Sequence, residues 1–274
     1  MNINIVRHLF LLLLPFVLFI PRLAVASMTP EQIMEQSHHK ILYQGDMKRA
    51  SVKMKIIDAN GNVRKRQFYT LRLDKDSAEK KADRGIGEQF YYIYFRRPAD
   101  IRKTAFIVHK KQGGDDYRWL YLPGLDLIKR IAAGDKRTSF VGSTLFYEDV
   151  SGRDINADTH EITSEDDTYY VIKSTPKKPD DVEFNYYQSW IHKSSFMPVR
   201  IEYFDKNNEK YRVGENQKVE TIEGKQTVTK GQVTDLKRNE KTVVEWSKVT
   251  YEFSATEDIF SERYLRNPPL EYFK

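Results

Sequence analysis

The side chains able to do acid, base, nucleophilic or metal chemistry are dispersed along this chain. The six histidines are His8, His38, His39, His109, His160 and His192, and none stands in a His-x-x-x-His or His-Glu-x-x-His spacing. No helix face therefore offers paired imidazoles to a metal. His38 and His39 are adjacent, so on a helix their rings diverge, and the pair reads as a solvated face. There is no cysteine, which removes thiolate ligands, thiol nucleophiles and disulfides together. Gly142-Ser143-Thr144 lacks the rest of a nucleophile elbow, and no phosphate-binding glycine loop is present. Acid groups at Asp115-Asp116, Glu165-Asp166-Asp167 and Asp180-Asp181 sit in turn-like sequence. A glycoside hydrolase needs two carboxylates converging on one cleft, and adjacency in a loop does not supply that. The sequence thus predicts no catalytic residue, no metal and no cofactor.

What the chain has in abundance is aromatic surface: 17 Tyr, 15 Phe and 3 Trp. Gln89 to Phe95 reads QFYYIYF, with Phe90, Tyr92 and Tyr94 on one face and Tyr91, Ile93 and Phe95 on the other. A strand apolar on both faces must be covered on both. Tyr117 to Leu122 is a second aromatic strand, closed by the turn Pro123-Gly124, and Leu125 to Ile131 returns. If a curved sheet has a concave face wider than its own side chains can fill, that face becomes an apolar pocket. Phe90, Tyr92, Tyr94, Phe106, Trp119, Leu120, Tyr121 and Leu122 are the candidate lining residues of such a pocket, with the face that lines it left open.

The elements that must position these residues are mostly strands. Thr29-Pro30-Glu31 opens a helix whose apolar stripe is Ile33, Met34, Ile41 and Leu42, ended by Gly45. From about Ser51 the period becomes two, with a hairpin loop at residues 58–62 and a return strand over 64–73. Residues 74–87 read as a charged loop. Strands follow over 89–95 and 104–108, then beyond Gly152 over 169–173, 183–192, 198–204, 210–213 and 242–253. A short helix at about 257–265 closes the chain before Pro268-Pro269. Ten or more short strands without a β-α rhythm predict a mainly β fold. The expected form is a large curved antiparallel sheet, an open barrel, flanked by the N-terminal helix and by the short C-terminal helix packed onto the sheet.

The first 26 residues read as a secretory signal: Arg7, an apolar run from Leu9 to Ile20, and Ala24-Val25-Ala26 before a cut at Ser27. Residues 27–274 are then expected to form one exported domain. Without Arg7 and Arg22 the balance is 43 basic against 39 acidic residues, near +4. That modest charge suits anionic lipid headgroups or an acidic partner, with peripheral membrane contact and no nucleic acid.

YLPGLDLIKRI followed by SFVGSTLFYEDV resembles the exported outer membrane lipoprotein-sorting protein family, related to the periplasmic lipoprotein carrier LolA within the LolA/LolB superfamily. The residues that carry the resemblance are Trp119 to Pro123, Arg130-Ile131, Phe140 to Gly142 and Tyr147 to Asp149. It implies an open β-barrel lidded by a helix, carrying acylated lipoproteins or lipids through the periplasm between inner and outer membrane. It also implies a role in cargo transfer for Arg97, in Arg97-Pro98, and an inner-membrane transporter of the RND type as a partner. Two other readings stand beside it: an adaptor docking on such a transporter without cargo, and a hydrolase of lipid or glycan using scattered carboxylates.

Overall fold

The computed structural model describes residues 27–75, 87–111 and 113–273. The expected signal segment and most of the charged loop after Asp74 lie outside the described residues. Thirteen strands form one antiparallel sheet: β1 (Met47–Ile57), β2 (Val63–Asp74), β3 (Gln89–Arg97), β4 (Ala105–Lys110), β5 (Tyr117–Leu122), β6 (Leu127–Ile131), β7 (Asp158–Glu165), β8 (Tyr169–Pro176), β9 (Phe184–His192), β10 (Pro198–Asp205), β11 (Lys210–Ile222), β12 (Lys225–Asp235) and β13 (Glu240–Thr250). Their order across the sheet is β6-β5-β4-β3-β2-β1-β13-β12-β11-β10-β9-β8-β7. Two meanders, β1–β6 and β7–β13, are thus joined side by side through β1 and β13. The edges β6 and β7 stay unpaired with each other, so the barrel is open.

Helix α1 (Pro30–Leu42) is capped as its sequence requires. The Gln32 amide donates to Thr29 Oγ1 at 3.3 Å, and the Thr29 amide donates to Gln32 Oε1 at 2.9 Å. This helix touches both β7 and β12, which stand five positions apart in the sheet. On a flat sheet that separation is about 24 Å, twice a helix diameter. The sheet therefore curls around α1, and the α1 side is its inside.

Cross-strand register carries that inner face from end to end. Val52 stands opposite Phe68 and Trp246, Phe68 opposite Phe95, Ile93 opposite Phe106, and Phe106 opposite Leu120. The connection from β6 to β7 fills part of the hollow these residues face. It holds the short helix α2 (Tyr147–Ser151), and its Phe140 and Tyr147 are buried against Phe106. Gly152, at φ +74°, ends α2, and a Cβ there would lie 2.4 Å from Leu42 Cδ1. Only glycine lets α1 and this connection meet so closely.

The outer face of β2–β5 carries a second core. Leu71, Phe90, Tyr92, Tyr94, Ala105 and Ile107 are buried beneath Ile259, Phe260, Leu265 and Phe273. The C-terminal segment, including α3 (Arg263–Arg266), thus lies on the face opposite α1, outside the hollow. The aromatic run of β3 is covered on both sides, as its composition demands.

Candidate functional site

Two neighbouring cavities, of about 280 and 300 Å³, lie on the inner face. They share Leu145, Asp149, Asn216 and Trp246 as a common wall. The first sits beneath the C-terminal turn of α1. Ile41 and Leu42 meet it from the helix, Phe68 and Ile93 from the sheet, and Val150, Val228 and Trp246 from the far side. The second opens over β10–β13 and has Ile201, Tyr203 and Val233 in its lining. Gly214 and Gly231 of β11 and β12 also border it, and there Ile201 and the Glu215 backbone come close, since a Cβ on Gly214 would lie 2.8 Å from Ile201 Cγ2.

The inner face carries charges beside its apolar groups, and most of them are paired. Arg137 bonds Glu183 through both oxygens at 2.7 Å and Glu148 at 2.8 Å. Arg153 bonds both oxygens of Asp158, at 2.7 and 2.9 Å, and Tyr187 donates to the same carboxylate at 2.9 Å. Arg212 pairs with Asp149 and donates to the Thr144 carbonyl at 3.2 Å. Arg118 pairs with Asp116 at 2.5 Å. Burial pushes the Glu148 carboxyl up, but Arg137, Arg153 and Lys136 outweigh it and hold that group below its usual range. Asp149 therefore anchors α2 to β11 through Arg212, while Glu148 holds it to Arg137 and Arg153, which in turn bond Glu183 and Asp158.

A second polar network ends α1. Arg72 donates to the carbonyls of Leu42, Gln44 (2.8 Å) and Gly45, with Asp74 behind it at 3.1 Å. Gln89 donates to Leu42 O at 2.9 Å and to Asp74 at 2.7 Å, and Tyr91 donates to Gln89 at 2.7 Å. These groups satisfy the carbonyls that a helix end leaves open. They also place the apolar Ile41 and Leu42 over the first cavity.

The eight predicted lining residues divide between the faces. Phe106 and Leu120 point inward but are packed in the core with Phe140, and Leu122 packs against the same cluster. Phe90, Tyr92, Tyr94, Trp119 and Tyr121 face outward under the C-terminal segment. None of the eight lines either cavity. On β3 it is the alternate residues, Tyr91 and Ile93, that border the hollow. One reason is that the covering elements come from distant sequence, so the strand alone could not say which face α1 takes. Trp246 lies on a strand whose alternation does not say what covers each face, and Val228 lies on β12, whose largely polar sequence gives no strand signal. Arg97 is exposed at the end of β3, opposite Gln67, and its bond to Pro98 is cis. Among the described residues no cluster of three or more His, Asp or Glu is placed to hold a metal. His38 differs from its expected solvated position, lying half-buried with its ring nitrogen 3.1 Å from the Arg153 carbonyl.

A family model described as "Uncharacterized protein" matches residues 87–267. No curated protein matches the chain. Among solved structures, a DUF1329 family protein from Desulfovibrio piger superposes with a TM-score of 0.76 at 24% identity, covering 87% of this chain and 100% of that one. An outer membrane lipoprotein-sorting protein domain from Vibrio parahaemolyticus gives 0.75 at 20% identity, over 87% and 98% of the two chains. A LolA superfamily protein from Nitrosomonas europaea gives 0.65 at 17% identity, over 87% and 100%. The family model spans more than half of the chain, which belongs to that family and has the LolA-like fold of the lipoprotein-sorting structures.

Proposed function

We propose that this protein is a periplasmic carrier that binds acyl chains of lipoproteins or lipids inside the open barrel and moves them between inner and outer membrane. Its signal segment would be removed before Ser27. The observation that carries the reading is the first cavity: a largely apolar hollow of about 280 Å³ between α1 and the sheet. Pockets for small ligands begin near this size, at roughly 300 Å³. Each buried methylene is worth about 0.8 kcal/mol, so a chain of about fourteen needs on the order of 11 kcal/mol of apolar cover to leave a bilayer. Ile41, Leu42, Phe68, Ile93, Val228 and Trp246 offer such cover without directional bonds. Because the C-terminal turn of α1 closes the cavity from above, lifting that turn off its bonds to Arg72 and Gln89 is the route by which a chain enters and leaves. An RND-type transporter as donor or acceptor, and Arg97 as a contact during transfer, complete the proposal.

The test is mass spectrometry of an organic extract of the mature protein purified from a Gram-negative periplasm. Acyl lipid in stoichiometric amount is expected with the wild type and its loss with Val228→Phe, which fills the cavity. Extracts free of lipid, combined with no uptake of added acyl chains, would end the carrier reading and favour the adaptor.

A further inference from the structure

The carrier reading leaves the head of the cargo open, and one side chain in the first cavity bears on it. Every large cation deep on the inner face has an anion or carbonyl of its own. Arg72 has Asp74 and the end of α1, Lys110 donates to Ser151 O at 2.8 Å, Arg118 has Asp116, Arg137 has Glu148 and Glu183, Arg153 has Asp158, and Arg212 has Asp149. Lys48 does not. It lines the first cavity from β1, opposite Arg72 across the strand pair. Among the described residues no carboxylate stands within ion-pair distance of it, and its Nζ lies over the Tyr251 ring, 5.9 Å from the ring centre. Arg72 adds a second positive charge beside it but has its own donors committed to carbonyls. Thr70, on the same inward face of β2, adds a hydroxyl to the same wall.

A half-buried ammonium without an anion beside it is costly, and a chain needing only grease would be served better by leucine. We propose that the first cavity takes a single-chain amphiphile with an anionic head, its carboxylate or phosphate pairing with Lys48 while its tail runs between α1 and Trp246. This rests on the carrier reading and narrows it. Two cavities near 300 Å³ suit one chain better than the several chains of a fully acylated lipoprotein. Burial next to Arg72 lowers the Lys48 ammonium to about 8, and an anion placed there would restore it.

The experiment is calorimetric titration of the mature protein with four twelve-carbon ligands: dodecanoate, dodecyl phosphate, dodecanol and dodecylammonium. One or both anions are expected to bind at least tenfold more tightly than dodecanol, with dodecylammonium weakest. Which anion leads tells a fatty acid from a phosphate head. In Lys48→Gln that preference should vanish through loss of anion affinity, with dodecanol unchanged. Dodecanol binding as tightly as both anions to the wild type overturns the head assignment while leaving the carrier reading intact, and needs no variant. Binding of none of the four overturns both.

Discussion

At the scale of single residues, the inner face is governed by where charge is compensated. Glu148 stands between Arg137, Arg153 and Lys136, at 2.8, 3.5 and 3.5 Å. Removing one member of a buried ion network typically costs about 3–5 kcal/mol, because the remaining charges lose their partner. Glu148→Gln should therefore destabilise the fold by about 3 kcal/mol or more in urea unfolding. Because the folded protein holds this carboxyl below its unfolded value, its stabilising contribution is present above about pH 4.5 and is lost as pH falls further. The variant should accordingly lose less stability than wild type on acidification; equal losses would show that Glu148 is not the anchor described. Lysines 48 and 110 act in the opposite sense. Burial lowers both to about 8, so the unfolded chain holds more protons between about pH 8 and 10. Stability should climb with pH across that window. It should then fall above about pH 10, where the unfolded state releases protons that buried Tyr91, Tyr187 and Tyr203 keep. Thermal melts of wild type against Lys48→Met, in which the climb is smaller, would check this.

At the scale of elements, the two faces of β3 have different duties, and that separation can be tested. Phe260 is 1% exposed beneath the outer face, tilted against Phe90 at 5.8 Å, and Phe273 stacks on Tyr69 and Tyr94 at 5.3 and 5.2 Å. Phe260→Ala should cost about 3–5 kcal/mol of stability yet leave the affinity for an acyl ligand within twofold of wild type below the melting point. A large loss of affinity would place the ligand on the outer face instead. Val228→Phe should behave in reverse. Overpacking a filled core costs about 1–3 kcal/mol, but the first cavity can absorb a ring, so stability should change by under about 1 kcal/mol while binding disappears. Much of the element order could be read from the chain because alternation, turn residues and the Thr29 cap are local signals: β5 begins and ends where its aromatic run and Pro123 require. Strands β7 and β12 escaped notice because their sequences, DTHEITSE and KQTVTKGQVTD, are largely polar. The length of β11 escaped for the same reason, its second half being solvent-exposed up to the tight turn at Glu223-Gly224.

At the scale of the molecule, the open barrel follows from a single arithmetic fact: two meanders share one seam at β1 and β13, and nothing pairs β6 with β7. Curling the sheet around α1 leaves room that neither α1 nor the β6–β7 connection fills completely. The motif Trp119 to Asp149 pointed to this fold because it encodes the β5–β6 hairpin and the α2 plug. It did not point to the cavity, whose wall is Trp246, Val228 and the glycines of β11 and β12, brought in from the far half of the chain. Of the three tryptophans, Trp246 alone borders the cavities, while Trp119 packs on the outer face beside His109 at 5.0 Å. That division supports the most direct test. Two single-tryptophan proteins, one retaining Trp246 and one retaining Trp119, are titrated with a fatty acid brominated in mid-chain, a contact quencher. Saturable one-to-one quenching of Trp246, with Trp119 left bright, is the predicted result. Quenching of Trp119 with Trp246 untouched, or quenching of neither, would contradict an acyl site beneath α1.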